Sequence, residues 1–296
     1  MAGEQVAALR PIRTSRRRGR SSLPAGDGAR WLLALPVAFL VACLVAPLVL
    51  VVATAVDGRG LGAFDAVLHS HVFVAATLRT LLLAGIVTAC CWVLGLAYAL
   101  GLAVTSGAGR ALLLGALLAV FWTSLVVRSY GWILLYQPSG PLSRALVALG
   151  LRHGPLDVLQ TATAMYPAMV HVMLPLMVLP IYSAVLRLDQ RRIWAARSLG
   201  AGPLLLLRKV VLPELRVASA AGVVLVFISS LGFYVTPALL GGPSNLTVGT
   251  LIAQEFNELL DFPTASAMAV LLLLAIGVLY ACADRMLGVS LRWGRV

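Results

Sequence analysis

Six long apolar segments constrain the fold of this chain more than any other feature of its sequence. They lie at roughly 31–55, 74–104, 110–136, 158–185, 215–240 and 264–287. At about 1.5 Å of rise per residue, a helix over each can cross a hydrocarbon core of roughly 30 Å. Leu, Val and Ala dominate the segments without the alternation of barrel strands, which favours helices. With 60% apolar and 11% charged residues, the chain is predicted to be an all-α membrane protein with six transmembrane helices.

The chain has a net charge of +12, and its basic residues lie mostly between the apolar segments and not on one face of a soluble domain. Seven Arg residues precede the first segment, and a second basic group lies between the fourth and fifth, whereas the alternate loops carry only Arg59, Arg144 and Arg152. Such a bias marks the cytoplasmic side, so both termini are predicted to be cytoplasmic and nucleic acid is not an expected partner. The predicted organisation is a basic cytoplasmic tail (1–30), a six-helix transmembrane domain (31–287) and a cytoplasmic C-terminal tail (288–296). A cleaved signal peptide is disfavoured because the first apolar run is too long.

The sequence contains none of the motifs that would make the chain an enzyme. Lys209 is the only lysine, so a Walker A phosphate loop is excluded, and the Gly-x-Ser-x-Gly and His-Glu-x-x-His strings do not occur. His69 and His71 have no third ligand nearby, so no metal or other cofactor is expected. All eleven acidic residues fall in tails, loops or segment ends. A self-contained ion-coupled carrier usually needs a carboxylate at membrane depth, so the energy for transport is expected from another subunit.

The loop between the fourth and fifth segments, at about 186–213, carries a spaced pattern and is called the coupling loop below. Trp194-Ala195-Ala196-Arg197-Ser198-Leu199-Gly200 is followed after nine residues by Val210-Val211-Leu212-Pro213. The pattern resembles the EAA motif, EAA-x3-G-x9-I-x-LP, of permease subunits of ATP-binding-cassette (ABC) importers, with Trp194 where the family usually has Glu. The resemblance implies a MetI-like type I importer fold and a helix that docks on an ATPase. The residues implied in coupling are Trp194, Ala195, Ala196, Arg197, Gly200, Ala201, Leu212 and Pro213.

Three further stretches, 121–132, 173–182 and 230–243, resemble permeases of the spermidine/putrescine type. This resemblance implies half of a translocation pore in a bacterial inner membrane, beside a second permease, an ATPase dimer and an extracytoplasmic binding protein. It implies a polyamine or a related small organic ion as cargo. Relatives of this kind also carry iron, thiamine or opines, so other cargoes stay open. A secondary carrier is the alternative class, disfavoured by the matched motif and by the absence of carboxylates at membrane depth.

Two groups of residues are candidates for the transport path. Arg128, Tyr130, Phe233, Tyr234 and Pro237 are predicted to line the pore or form a gate, because aromatic faces attract cations and proline bends helices at cavities. Glu255, Glu258 and Asp261, in the loop after the fifth segment, are predicted to dock the binding protein by resemblance. The alternatives are an interfacial aromatic belt for the first group and a solvated acidic face for the second.

Overall fold

The protein is built from α-helices joined by short turns. A computed structural model describes residues 27–57 and 60–287, and no β-strand occurs within them. Residues 1–26 of the predicted basic tail and the predicted tail 288–296 lie outside the described residues. The helices, in chain order, are α1 (Asp27–Val56), α2 (Gly62–His69), α3 (His71–Val104), α4 (Gly107–Trp122), α5 (Leu125–Tyr136), α6 (Pro141–Ala148), α7 (Ala162–Val185), α8 (Gln190–Ser198), α9 (Pro203–Leu206), α10 (Leu212–Leu231), α11 (Val235–Leu240), α12 (Val248–Asn257) and α13 (Phe262–Leu287). The all-α prediction is therefore confirmed.

Among the described residues, five helices are long and apolar enough to cross a membrane. They are Ala34–Val56, His71–Val104, Ala162–Val185, Pro203–Leu231 and Phe262–Arg285. A sixth crossing is formed if the bent pair of Gly107–Trp122 and Leu125–Ala148 counts as one span. The six predicted segments thus correspond to five continuous helices and one broken one.

The third and fifth predicted segments differ from single straight helices. The run at 110–136 breaks between α4 and α5, where the helix direction turns by 106°. The run at 215–240 contains the end of α10 and a separate helix, α11, with Gly232 to Tyr234 between them. The helical rod that contains α10 begins at Pro203 and includes one π-helical turn at Leu207–Val211. Pro213 therefore lies inside this rod, just after the π-helical turn.

The chain divides into two compact units between Val49 and Leu50, inside α1. The described part of the first unit is α1 as far as Val49. The second unit contains two apolar clusters. The larger is formed mainly by α3, α7 and α10, and the smaller joins α2, the start of α3, α12 and α13. These two clusters fix the helices that carry the candidate sites.

Met177 of α7 lies at the centre of the three-helix cluster, between glycines of its two neighbours. A Cβ atom added to Gly95 of α3 would lie 2.6 Å from Met177 Cγ, and one added to Gly222 of α10 would lie 2.7 Å from Met177 Sδ. Small residues let membrane helices approach closely, and the thioether fills the space between them. The packing of α3, α7 and α10 therefore depends on two positions without a side chain.

Backbone hydrogen bonds also hold α12 against α3. Thr247 and Thr250 form a capping box at the start of α12, with the Thr247 backbone N–H donating to Thr250 Oγ1 at 2.8 Å. The next donor, the N–H of Val248, bonds to Thr80 Oγ1 of α3 at 2.9 Å, and the Thr80 hydroxyl donates to the carbonyl of Ala76. Because helix N-termini leave unpaired N–H groups, these bonds fix the start of α12.

We predict that Gly95→Ala lowers the stability of the protein by about 1 to 3 kcal/mol, because the added methyl group overpacks the Met177 side chain. Thermal unfolding of the detergent-solubilised protein measures this. Gly85→Ala, on the same helix, is the matched control, since its Cβ would meet no atom within 4 Å. Gly95→Ala should cost less in a Met177→Ala background than in the wild type, because the side chain that it overpacks is gone. Equal unfolding temperatures for the two glycine variants would refute the packing argument.

Candidate functional site

The coupling loop contains a short helix with a defined beginning and end. The side chain of Asp189 accepts a hydrogen bond from the N–H of Arg191 at 2.9 Å and caps α8. At the other end the N–H of Gly200 bonds to the Arg197 carbonyl at 2.9 Å, and the N–H of Ala201 bonds to the Ala196 carbonyl at 3.0 Å. Gly200 has φ = +83°, which makes this a Schellman turn. The predicted short helix followed by a glycine turn is thus present.

The surface of this loop is apolar and basic. No residue of α8 is buried. Trp194 is 63% exposed, Leu199 88% and Leu204 76%. Ala195 and Arg197 are exposed, while Ala196 and Ala201 are half-buried. Large apolar side chains gathered on an exposed loop mark an interaction surface.

The coupling loop is tied to the helix that follows it. Arg192 of α8 forms an ion pair with Glu214 in the first turn of α10. Both side chains are largely exposed, so the pair contributes little to stability and serves mainly to orient α8 on α10. Leu212 is half-buried and Pro213 is exposed, and both follow the π-helical turn inside the rod.

Arg128 lies at the break between α4 and α5. Its Nη2 group donates to the carbonyls of Val120 and, at 2.7 Å, of Thr123. The Thr123 hydroxyl donates to the Ala119 carbonyl at 2.7 Å. The Ala119 carbonyl also keeps its helical bond from the N–H of Thr123, at 3.0 Å. The guanidinium therefore takes over the carbonyls of Val120 and Thr123, which a continuing helix would have bonded. Arg128 thus caps the end of α4.

The structure brings the two halves of the predicted pore or gate group together. Ser129 of α5 and Thr236 of α11 are both buried, with their hydroxyl oxygens 3.4 Å apart. Arg128 and Tyr130 flank the first of these residues, and Pro237 follows the second. Tyr130 is exposed and Phe233 is half-buried. The half-helices that follow the two breaks thus pack against each other.

Tyr234 and Pro237 also line a cavity of about 640 Å³. It lies between α11, α12 and Gln160, which is two residues before α7. Glu258, predicted to dock a binding protein, lines the same cavity. Sequence reasoning missed the other polar residues of its wall, Gln160, Thr250, Gln254 and Asn257. No local pattern identifies them, because they come from segments that only the fold brings together.

The two other acidic residues of the predicted docking group lie near each other, Glu255 in the last turn of α12 and Asp261 just before α13. The Asp261 carboxylate accepts from the N–H of Thr264 at 3.2 Å and from its hydroxyl at 2.8 Å, so it caps this helix. Burial, and to a lesser degree the charge of Asp261, raises the pKa of Glu255. Neither residue lines the cavity that Glu258 lines.

The structure combines a bundle of apolar helices, an exposed helix on one connecting loop and a polar cavity beside broken helices. These features together are those of a polytopic membrane transport component. Residues 111–293 match the model of the family described as binding-protein-dependent transport system inner membrane component. The chain belongs to this family. It is therefore an inner-membrane permease component of an ABC importer and not an enzyme, which confirms the predicted class.

Individual proteins support the same assignment. The chain is 33% identical over 202 residues to the spermidine/putrescine transport system permease protein PotB of Escherichia coli (strain K12), covering 68% of this chain and 74% of that protein. It is 31% identical over 220 residues to PotB of Haemophilus influenzae, covering 72% and 77%. A bacterial alginate ABC transporter, crystallised with an alginate-bound periplasmic protein, has the same fold, with a TM-score of 0.77, 17% identity and coverage of 88% and 94%.

We predict that Arg128→Met lowers the free energy of unfolding by about 1 to 3 kcal/mol, because the carbonyls of Val120 and Thr123 lose their donor. Arg128→Lys should lose less, since an ammonium group still donates. Thermal unfolding in detergent compares the three proteins. A methionine variant as stable as the wild type would show that the guanidinium does not hold the break.

Proposed function

We propose that the chain is one half of the translocation pore of an ABC importer for polyamines or related small organic cations. Its permease domain (31–287) stands beside a second permease of the same family. An ATPase dimer binds the coupling loop on the cytoplasmic side, and an extracytoplasmic binding protein delivers the cargo. The observation that carries the proposal is α8, an exposed apolar and basic helix in a loop with the spacing of the EAA motif.

The surface of α8 indicates the chemistry of the partner that covers it. Trp194 replaces the usual Glu of the motif with a large apolar anchor, and indole rings are common at the centres of interfaces. Arg191 and Arg197 are exposed beside it. We therefore expect the groove on the ATPase to be apolar at its centre and acidic at its rim.

The cargo is proposed from the relatives and from the chemistry of the cavity wall. PotB proteins of two bacteria, named for spermidine and putrescine transport, align with about 70% of this chain. Tyr234 and Glu258 on the cavity wall suit a cation better than an anion. The relatives favour polyamine cargo over iron, thiamine or opines, and the cavity wall adds a preference for a cation.

The orientation is proposed from the charges of the loops. The coupling loop carries Arg187, Arg191, Arg192, Arg197, Arg208 and Lys209. The loop between α6 and α7, at the opposite end of α7, carries Arg152 alone. The positive-inside rule then puts α8 and both termini in the cytoplasm and the cavity at the outer face.

We predict that Gly200→Asp abolishes ATPase association without unfolding the permease. Aspartate disfavours φ = +83° and adds a negative charge beside the docking surface. Co-purification of the ATPase with the tagged permease, and ATP-dependent uptake of labelled spermidine, measure the effect. Ala196→Glu on the same helix should act in the same direction.

Gly150→Asp is the matched control for this experiment. Gly150 ends α6 with the same pair of hydrogen bonds, from Gly150 to Val147 and from Leu151 to Leu146, and has φ = +69°. An added Cβ meets no atom within 4 Å at either glycine. The control carries comparable backbone strain on a different loop, so it should keep the ATPase bound. Equal loss of the ATPase in both variants would attribute the effect to strain and contradict docking through α8.

We predict that a cysteine at position 199 is reached by a membrane-impermeant thiol reagent only from the cytoplasmic side, and one at position 149 only from outside. Leu199 and Leu149 are both exposed and lie at opposite ends of α7. Cys43, Cys90, Cys91 and Cys282 are replaced first, since all four are free thiols. Labelling of intact spheroplasts against inverted vesicles decides the orientation, and the reverse pattern would overturn it.

A further inference from the structure

The cavity between α11 and α12 has a wall chemistry that selects for positive charge. Its volume, about 640 Å³, is in the range of small-molecule sites. Of the described residues that line it, none is Lys, Arg or His, and one, Glu258, is a carboxylate. The rest of the polar wall is formed by the Tyr234 ring, the Thr250 hydroxyl and the side-chain amides of Gln160, Gln254 and Asn257. A cation is therefore stabilised in this cavity, whereas an anion meets a negative charge.

Glu258 is free to bind a ligand. It follows the last residue of α12 and is exposed, and its carboxylate has no ion pair or hydrogen bond with any described residue. The neighbouring Asn257 uses its side-chain N–H on the Ala253 carbonyl at 2.8 Å, which leaves its amide oxygen as an acceptor. Acceptor groups without a donor, next to a carboxylate, match the donors of an ammonium group.

The opposite wall of the cavity is held in place by tight backbone packing. Gln160 and Gly242 both have positive φ, +59° and +68°, and a Cβ on Gly242 would lie 2.6 Å from Gln160 Cβ. The Asn245 side chain donates to the carbonyls of Gln160, at 3.3 Å, and of Gly241, at 2.9 Å. Only glycine fits at position 242, so the loop before α7 and the loop after α11 form one fixed wall. The cavity is thus preformed.

We infer that this cavity is a subsite for the primary ammonium group of the cargo, with Glu258 as its counter-ion. The Tyr234 ring offers a cation–π face. The side-chain amide oxygens of Gln160, Gln254 and Asn257 are acceptors for hydrogen bonds from the remaining ammonium N–H groups. The inference rests on the proposed function and deepens it. It also reassigns Glu258 from docking the binding protein to binding cargo, while Glu255 and Asp261 keep the docking role proposed for them.

The test uses the purified complex of permeases and ATPase, with labelled putrescine and spermidine as probes. Equilibrium dialysis in detergent at low salt, without the binding protein, measures the affinity of the cavity directly. Proteoliposomes that contain the whole system measure amine imported per ATP hydrolysed. The affinity of the complex for its binding protein is measured separately. The variants are Glu258→Gln, Glu258→Asp and, as the matched control, Asp157→Asn, which removes a carboxylate from the exposed loop between α6 and α7, outside the cavity.

Glu258→Gln should weaken amine binding and reduce amine imported per ATP by about fivefold or more, because a charge-assisted bond is lost. Glu258→Asp and Asp157→Asn should stay within about twofold of the wild type, and binding-protein affinity should not change for Glu258→Gln. Unchanged amine binding in Glu258→Gln overturns the inference, and so does a loss of transport matched by a loss of binding-protein affinity. If the wild type binds amines through Glu258 but imports none with ATP, the proposed function fails and the subsite stands.

Discussion

The rest of this structure depends on the requirement that backbone polar groups be satisfied where water is scarce. Uninterrupted helices meet it by themselves, and a helix can stop only where other groups take over its hydrogen bonds. At the end of α4 the Arg128 guanidinium takes this role for the carbonyls of Val120 and Thr123. After the two breaks, the buried hydroxyls of Ser129 and Thr236 meet. Two half-helices, α5 and α11, can therefore exist inside the bundle, and α11 supplies one wall of a polar cavity.

The parts of the fold that the sequence predicts are those decided locally. Apolar length predicts the spans, and the EAA spacing predicts a short helix that ends at Gly200, because a glycine is needed where φ is positive. The break after Trp122 was missed because the apolar run continues through it, and it depends on a side chain six residues away from the end of α4 that folds back. The cavity was missed for a related reason. Gln160 and Glu258 belong to distant segments of the chain, and only the packed fold brings them to opposite walls of one cavity.

Local structure alone does not distinguish a docking helix from an ordinary one. Both α6 and α8 end in the same Schellman turn, with Leu149-Gly150 in one and Leu199-Gly200 in the other. They differ in the side chains that surround the turn. The α8 turn follows Trp194 and several arginines. In contrast, Arg144 is the only charged side chain of α6, and the Ser143 hydroxyl oxygen of α6 accepts a hydrogen bond from the N–H of Leu156. The function of the turn therefore depends on the surface beside it.

Under the proposed function, one continuous element connects the ATPase surface to the cargo cavity. Arg192 joins α8 to Glu214, and from there the rod runs without interruption to Leu231. It ends at Gly232, and the next helix, α11, carries Tyr234 at its start and Pro237 within it, both on the cavity wall. A rigid helix transmits a displacement along its length, whereas a break lets its end change direction. The break at Gly232 is therefore the point at which a movement of α8 becomes a change in the shape of the cavity.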